Sequence, residues 1–181
     1  MSCDITHGRA EVCKDVVGGL QAIYIANFGI TSADVTYDVT NTDMITDINN
    51  ITNLYKFELK GANSFEQTIQ SSRENGTTFF EQVLNIKLKK QDVSTSKTLK
   101  LLSYGRPHVI VKDNNNNYFI MGLLRGADVT AGKIASGTNL GDMSGYELTF
   151  TAQEATYANF LNCSSDTALA TLFSGATIVT S

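Results

Sequence analysis

From Phe80 to Lys89 the chain alternates so regularly between apolar and polar residues that a strand with one buried face is the only economical reading. Phe80, Leu84, Ile86 and Leu88 share one face, opposite Glu81, Asn85, Lys87 and Lys89, with only Gln82 interrupting the apolar face and Val83 the polar one. After Lys90 the period lengthens to about 3.5 residues. Asp92 stands where a cap belongs, Val93, Leu99, Leu101, Leu102 and Tyr104 form the apolar set, and Lys97 and Lys100 come late. This predicts a helix over 92–104 whose ends complement its dipole, with Gly105 in the left-handed position past its end and Pro107 barring continuation. Before the strand, Asn75-Gly76 predicts a hairpin with a type I′ turn. After the helix, residues 108–113 and 118–124, separated by four asparagines, predict two strands joined by a polar turn.

The remaining segments read as further strands. Residues 1–17 show no sustained period and are expected to form an N-terminal arm. Residues 20–28, following Gly18-Gly19, are a continuous apolar run, which suggests a central strand buried on both faces. Residues 34–39 and 44–48 alternate weakly and should be buried on one side. In residues 54–60, Tyr55, Phe57 and Leu59 oppose Lys56, Glu58 and Lys60, and the Gly61-Ala62-Asn63 turn leads into residues 64–71. Residues 45–71 are therefore expected to form a long hairpin excursion. Residues 127–136 and 146–154 are two more strands, 166–173 a short helix capped by Ser164 or Ser165, and 176–180 a terminal strand. The expected fold is mainly β, an antiparallel β-sandwich or barrel with one flanking α-helix. It is expected as a single domain of residues 1–181, with a β core over 18–162 and a C-terminal extension over 163–181.

Composition limits the function classes. A chain of 181 residues can bury roughly 70% of its unfolded surface, so it needs no cross-links. Cys3, Cys13 and Cys163 are an odd number and are expected as free thiols. The net charge of −4 provides no basic footprint for nucleic acid or anionic membrane, and Lys87, Lys89 and Lys90 read as a solvated strand end. No apolar run approaches the ~20 residues of a membrane span, and no basic segment followed by a hydrophobic core opens the chain. Synthesis and retention in the cytosol, without membrane association, is the expectation.

Residues that could carry chemistry do not assemble into a motif. Cys3, His7 and Cys13 match no common zinc spacing. Asp113 to Asn117 imitates the start of a calcium loop, but Tyr118 stands where glycine must turn the loop and Leu124 where a bidentate glutamate belongs. His108, after Pro107 at a strand start, reads as structural. Asp34/Asp38 and Asp43/Asp47 are carboxylate pairs on presumed exposed strands. No catalytic group, cofactor or metal site is expected.

Several of these features occur together in a known group. Gly8-Arg9, Cys13-Lys14-Asp15 and Gly18-Gly19 leading into Ile23-Tyr24-Ile25, then Asn75-Gly76-Thr77 before the Phe80 strand, the helix before Val109 to Asp113, the Gly122 and Gly126 pair, and Gly141-Asp142 before Gly145 to Phe150 resemble bacteriophage tail-tube-type structural proteins from phages of Bacteroidetes-like hosts. The resemblance implies a β-barrel or sandwich made in the host cytoplasm and assembled in the virion tail as stacked, hexameric rings. Its partners would be further copies of itself, other tail proteins, and phage DNA passing through the lumen without specific binding. Neck and baseplate components share such folds. The alternative from a different class is a surface- or carbohydrate-binding β-sandwich, with Tyr37, Tyr104, Tyr118 and Tyr157 as candidate contacts. For assembly, Leu54, Tyr55, Phe57 and Leu59 are the candidate subunit interface, because they carry more apolar surface than a free hairpin tip should expose.

Overall fold

A computed structural model describes residue 5 and residues 7–180. Its elements, in chain order, are β1 (Leu20–Ala26), a 3-10 turn (Ser32–Asp34), β2 (Val35–Tyr37), β3 (Met44–Ile48), β4 (Asn53–Glu58), β5 (Ser64–Ser72), β6 (Thr77–Lys89), α1 (Val93–Leu102), β7 (His108–Asp113), β8 (Tyr118–Met121), β9 (Asp128–Ala135), β10 (Gly145–Glu154), β11 (Asn159–Leu161), α2 (Asp166–Leu172) and β12 (Thr177–Val179). They form a large sheet in the order β12-β4-β1-β7-β8-β11-β3-β2 and a small sheet in the order β5-β6-β10-β9. The fold is mainly β, a sandwich with α1 at its flank. Antiparallel pairing dominates, with β11 on β3 and β12 on β4 as the parallel exceptions.

Side-chain alternation decides which core each residue joins. From β1, Ile23 and Ile25 point into the layer between the sheets with Val109 and Val111 of β7, Leu84 and Ile86 of β6, and Tyr146, Leu148 and Phe150 of β10. The intervening Ala22, Tyr24 and Ala26 enter a second core on the opposite face of the large sheet, with Leu54, Ile110, Tyr118 and Ile120. This double burial is why β1 reads as an unbroken apolar run from Ala22 to Ala26, after the exposed Gln21. The second core is filled by Leu169, Leu172 and Phe173 of the C-terminal segment, and α2 touches both β12 and β3. Residues 163–180 thus supply part of the core, and α2 is the short helix expected over 166–173, capped by Ser165, whose side chain accepts from the Ala168 N–H.

The switch from strand to helix at Lys90 has a conformational basis, since Lys90 adopts φ 66° before α1 begins. Asp92 caps α1: its Oδ1 accepts from the Thr95 N–H at 2.8 Å, and the Ser94 and Thr95 hydroxyls also donate to the carboxylate. These bonds hold the Asp92 carboxyl down at about 2. Past the helix, Gly105 does not take the left-handed conformation expected of it.

Two other expectations are corrected. Residues 45–71 are not a hairpin excursion, because β4 pairs with β1 and β12 in the large sheet whereas β5 pairs with β6 in the small one. The Gly61 turn is a crossover: the Leu59 N–H still bonds to Gln21 O, and by Asn63 the chain is tied to the Lys87 N–H at 2.7 Å. Alternation in two neighbouring strands is the same whether they pair with each other or with other partners, so period alone could not tell these apart. The β5–β6 hairpin does form at Asn75-Gly76, but through residues 73–76, with only Gly76 of the pair at positive φ. It is a longer turn than type I′.

Candidate functional site

The four interface candidates divide by strand parity. Leu54 is fully buried in the second core and Leu59 is buried between the sheets, so both serve the chain's own interior. Tyr55 remains 37% exposed, and Phe57 packs against the inter-sheet core from its edge. Together Tyr55 and Phe57 form one wall of a surface groove of about 460 Å³, with Ile25 and Phe28 beneath and Leu101 and Leu102 of α1 opposite. The helix creates this groove because only Leu99 of its apolar set is fully buried, leaving Leu101 63% exposed. Arg106 is the one charged residue in the lining, its guanidinium 4.8 Å above the Phe28 ring.

The strand edges carry more apolar surface. β12 and β2 end the large sheet, and β5 and β9 end the small one. Each of these four strands carries one large apolar side chain that is 40–64% exposed: Val179, Tyr37, Ile69 and Ile134 respectively. Of the other tyrosines considered for ligand contact, Tyr118 is buried and Tyr104 stands exposed beyond the end of α1. Tyr157 and Tyr37 have their phenols raised first by burial and then by the Asp43 charge nearby. The lysines at the end of β6 line a shallow cleft with Lys60, Glu58 and Asp92, and Lys87 pairs with Glu147 at 3.0 Å.

Inside the protein, polar groups hold the two sheets together. Gln82, the interruption in the β6 alternation, accepts from the Gly122 N–H at 3.0 Å and donates to Thr156 O at 3.4 Å. Glu154 of β10 accepts from the Leu124 and Arg125 N–H groups at 2.9 and 2.7 Å. His108 donates from Nδ1 to Gly122 O at 2.7 Å and accepts at Nε2 from the Gly29 and Ile30 N–H groups. All three side chains converge on the turn at 122–126, where Gly122 is at φ 65° and an added Cβ would lie 2.5 Å from the Gly126 carbonyl carbon. The notice in the sequence was Gln82 itself, a polar residue on an otherwise apolar face.

A second polar cluster clasps α2 to the large sheet. Asp166 accepts from the hydroxyls of Tyr24 at 2.6 Å and Tyr118 at 3.1 Å, and lies 3.0 Å from Lys56 Nζ and 3.4 Å from Lys112 Nζ. Burial alone would raise its carboxyl, but the bonds from Tyr24, Lys56 and Tyr118 outweigh it and hold the carboxyl well below the usual range. Among the described residues, every buried side-chain nitrogen and oxygen has a hydrogen-bond partner. The interior polar groups are therefore engaged in structure.

The sequence candidates for metal and thiol chemistry lie apart. Cys3 lies outside the described residues, Cys13 is exposed, and Cys163 is half-buried, its thiol pushed up to about 12 chiefly by burial. Among the described residues, no three His, Cys, Asp or Glu side chains are grouped to hold a metal ion, and no helix is long and apolar enough to cross a membrane. Asp113 instead organises its own turn, accepting from the Asn115 and Asn117 N–H groups at 2.8 Å. Set beside known proteins, the chain matches no family model, no curated protein and no solved structure.

Proposed function

We propose that the protein is a non-catalytic structural subunit of a virion, a tail-tube-type protein whose copies assemble into stacked, hexameric rings. The observation that carries this reading is the state of the strand edges. Monomeric proteins usually protect edge strands with charge, proline or a covering element, because unpaired backbone and apolar side chains invite another chain. Here all four edge strands present an exposed large apolar side chain, and the small sheet's edges, β5 and β9, are nine and eight residues long. Contacts between different patches on identical subunits close into rings or extend into filaments. The resemblance in turn and strand order supports the tail assignment, with other tail proteins as neighbours and DNA as a passenger. Pairing of Lys87 with Glu147 on the small sheet's outer face, beside the uncharged Asn85–Thr149 pair, leaves that face without a continuous basic track for phosphates.

Sedimentation velocity and negative-stain electron microscopy over a concentration series test the reading. Rings, and tubes at high concentration, are expected. A protein that stays monomeric throughout is not a tube subunit. Submicromolar binding of duplex DNA at physiological salt would contradict passage without retention.

A further inference from the structure

The α1 groove and the loop between β2 and β3 are both apolar at their centres and opposite in charge, and we propose that they dock, the Tyr37–Asp43 loop of one copy seating in the α1 groove of the next. This rests on the assembly reading above and names the surfaces through which it proceeds. The groove is apolar, with Tyr55, Phe57, Leu101 and Leu102 as its walls. Its charge is entirely positive: Arg106 lies in the lining, and Lys97 and Lys100 are exposed on the same helix. Arg106 has no ion-pair partner among the described residues.

The loop has the opposite character. Val39 stands at its crest, 97% exposed, with Tyr37 partly exposed beside it. Asp38 and Asp43 flank Val39, Asp34 ends the 3-10 turn before β2, Asp47 lies on β3, and no lysine or arginine occurs between Lys14 and Lys56. An apolar knob in an acidic frame thus faces outward, and an apolar slot in a basic frame faces outward elsewhere. Buried apolar contact supplies affinity in such an interface, while the charges select partner and register.

The loop is also held in shape before any contact. Asp38 Oδ1 accepts from the Thr40 and Asn41 N–H groups at 2.8 and 2.7 Å, and Asp38 N–H and Met44 N–H bond to Met44 O and Asn41 O, each at 2.8 Å. Docking a preformed loop loses little conformational entropy. The two surfaces lie on different parts of the subunit, the groove beside β4 and β1 and the loop at β3 and β2, the other end of the large sheet's strand order. One copy can therefore use both at once, which makes the contact head-to-tail and able to propagate.

Val39→Asp and Leu101→Glu place a charge in the knob and in the slot, at positions too exposed to support the fold. Each should weaken self-association by about tenfold or more in sedimentation velocity, with unchanged thermal unfolding. Asp43→Lys and Arg106→Glu should each weaken it as well, and the double variant should regain most of the loss. If wild-type protein assembles and these variants assemble as strongly, the docking is wrong and the assembly reading stands. If wild-type protein never associates, both fall.

Discussion

Gln82 reaches from the small sheet to the turn after β8, where its Oε1 accepts the Gly122 N–H at 3.0 Å, in a position only 1% exposed. Gln82→Leu would restore the apolar alternation of β6 and improve its sequence pattern. It would also strand the Gly122 N–H and remove a donor from Thr156 O. Losing a buried partner costs about 1–3 kcal/mol, so the variant should melt several degrees lower, as thermal unfolding will read. A variant as stable as the parent would mean that the turn does not depend on this bridge.

The tautomer of His108 makes stability sensitive to mild acid. Its Nε2 accepts two backbone N–H groups, and burial holds the imidazole below its ordinary 6.5, a tendency that the Gly122 bond and the Glu154 charge only partly oppose. With the folded value below the unfolded one, its contribution is complete above about pH 6.5 and declines as pH falls below that. Asp34, Asp92, Asp142 and Asp166 are all lowered from 3.8, so their losses come at more acid pH. Denaturant titrations at about pH 7 and about pH 5 should show wild-type stability dropping. His108→Gln should be less stable at both and show a smaller drop.

Asp166 gathers two tyrosines and two lysines at the start of α2, so its removal should loosen that helix. Asp166→Asn keeps the shape but loses the charge facing Lys56 and Lys112. Because the site is about one-third exposed, solvent screening limits the loss to about 1–2 kcal/mol. A more local sign should accompany it. Cys163, three residues before Asp166, is shielded with its thiol at about 12. Its alkylation at neutral pH, followed by peptide mass spectrometry, should be slow in the parent and faster in the variant. Equal rates would show that the clasp does not control this end.

Asn115 binds the incoming N-terminal segment as a strand neighbour would. Its Oδ1 accepts the Val17 N–H at 3.0 Å and its Nδ2 donates to Val17 O at 2.8 Å, while Asn114 Nδ2 donates to Gly18 O. Asn115→Ala should release residues before Gly19 without touching the core. Tryptic cleavage after Lys14 should accelerate, with a change in stability within about 0.5 kcal/mol of zero. Unchanged cleavage would indicate that the segment is held by other contacts.

Local pattern carried most of the secondary structure. The alternation of β6, the cap at Asp92, the apolar run of β1 and the asparagine turn after β7 each depend on residues close in the chain, where steric preference and side-chain period act directly. The same signals showed that Tyr55 and Phe57 lie together on one side of β4, and the structure places both in a single groove.

Partner choice was the part that required three dimensions. Nothing in the residues around Gly61 says that β4 will join β1 while β5 crosses to β6, because alternation is silent about which edge is available. For the same reason Leu54 and Leu59 gave no warning that they would be used internally. A second core on the far face of the large sheet took the first, and the inter-sheet layer took the other. The polar bridges followed the same rule. Gln82 could be seen as out of pattern in the sequence, but its partner Gly122 lies forty residues away. Asp166 finds Tyr24 across 142 residues. The chain alone determined the strands, the helices and their faces, since these depend on neighbours in sequence; folding decided which faces meet, since desolvation and hydrogen bonding act on whatever is brought into contact.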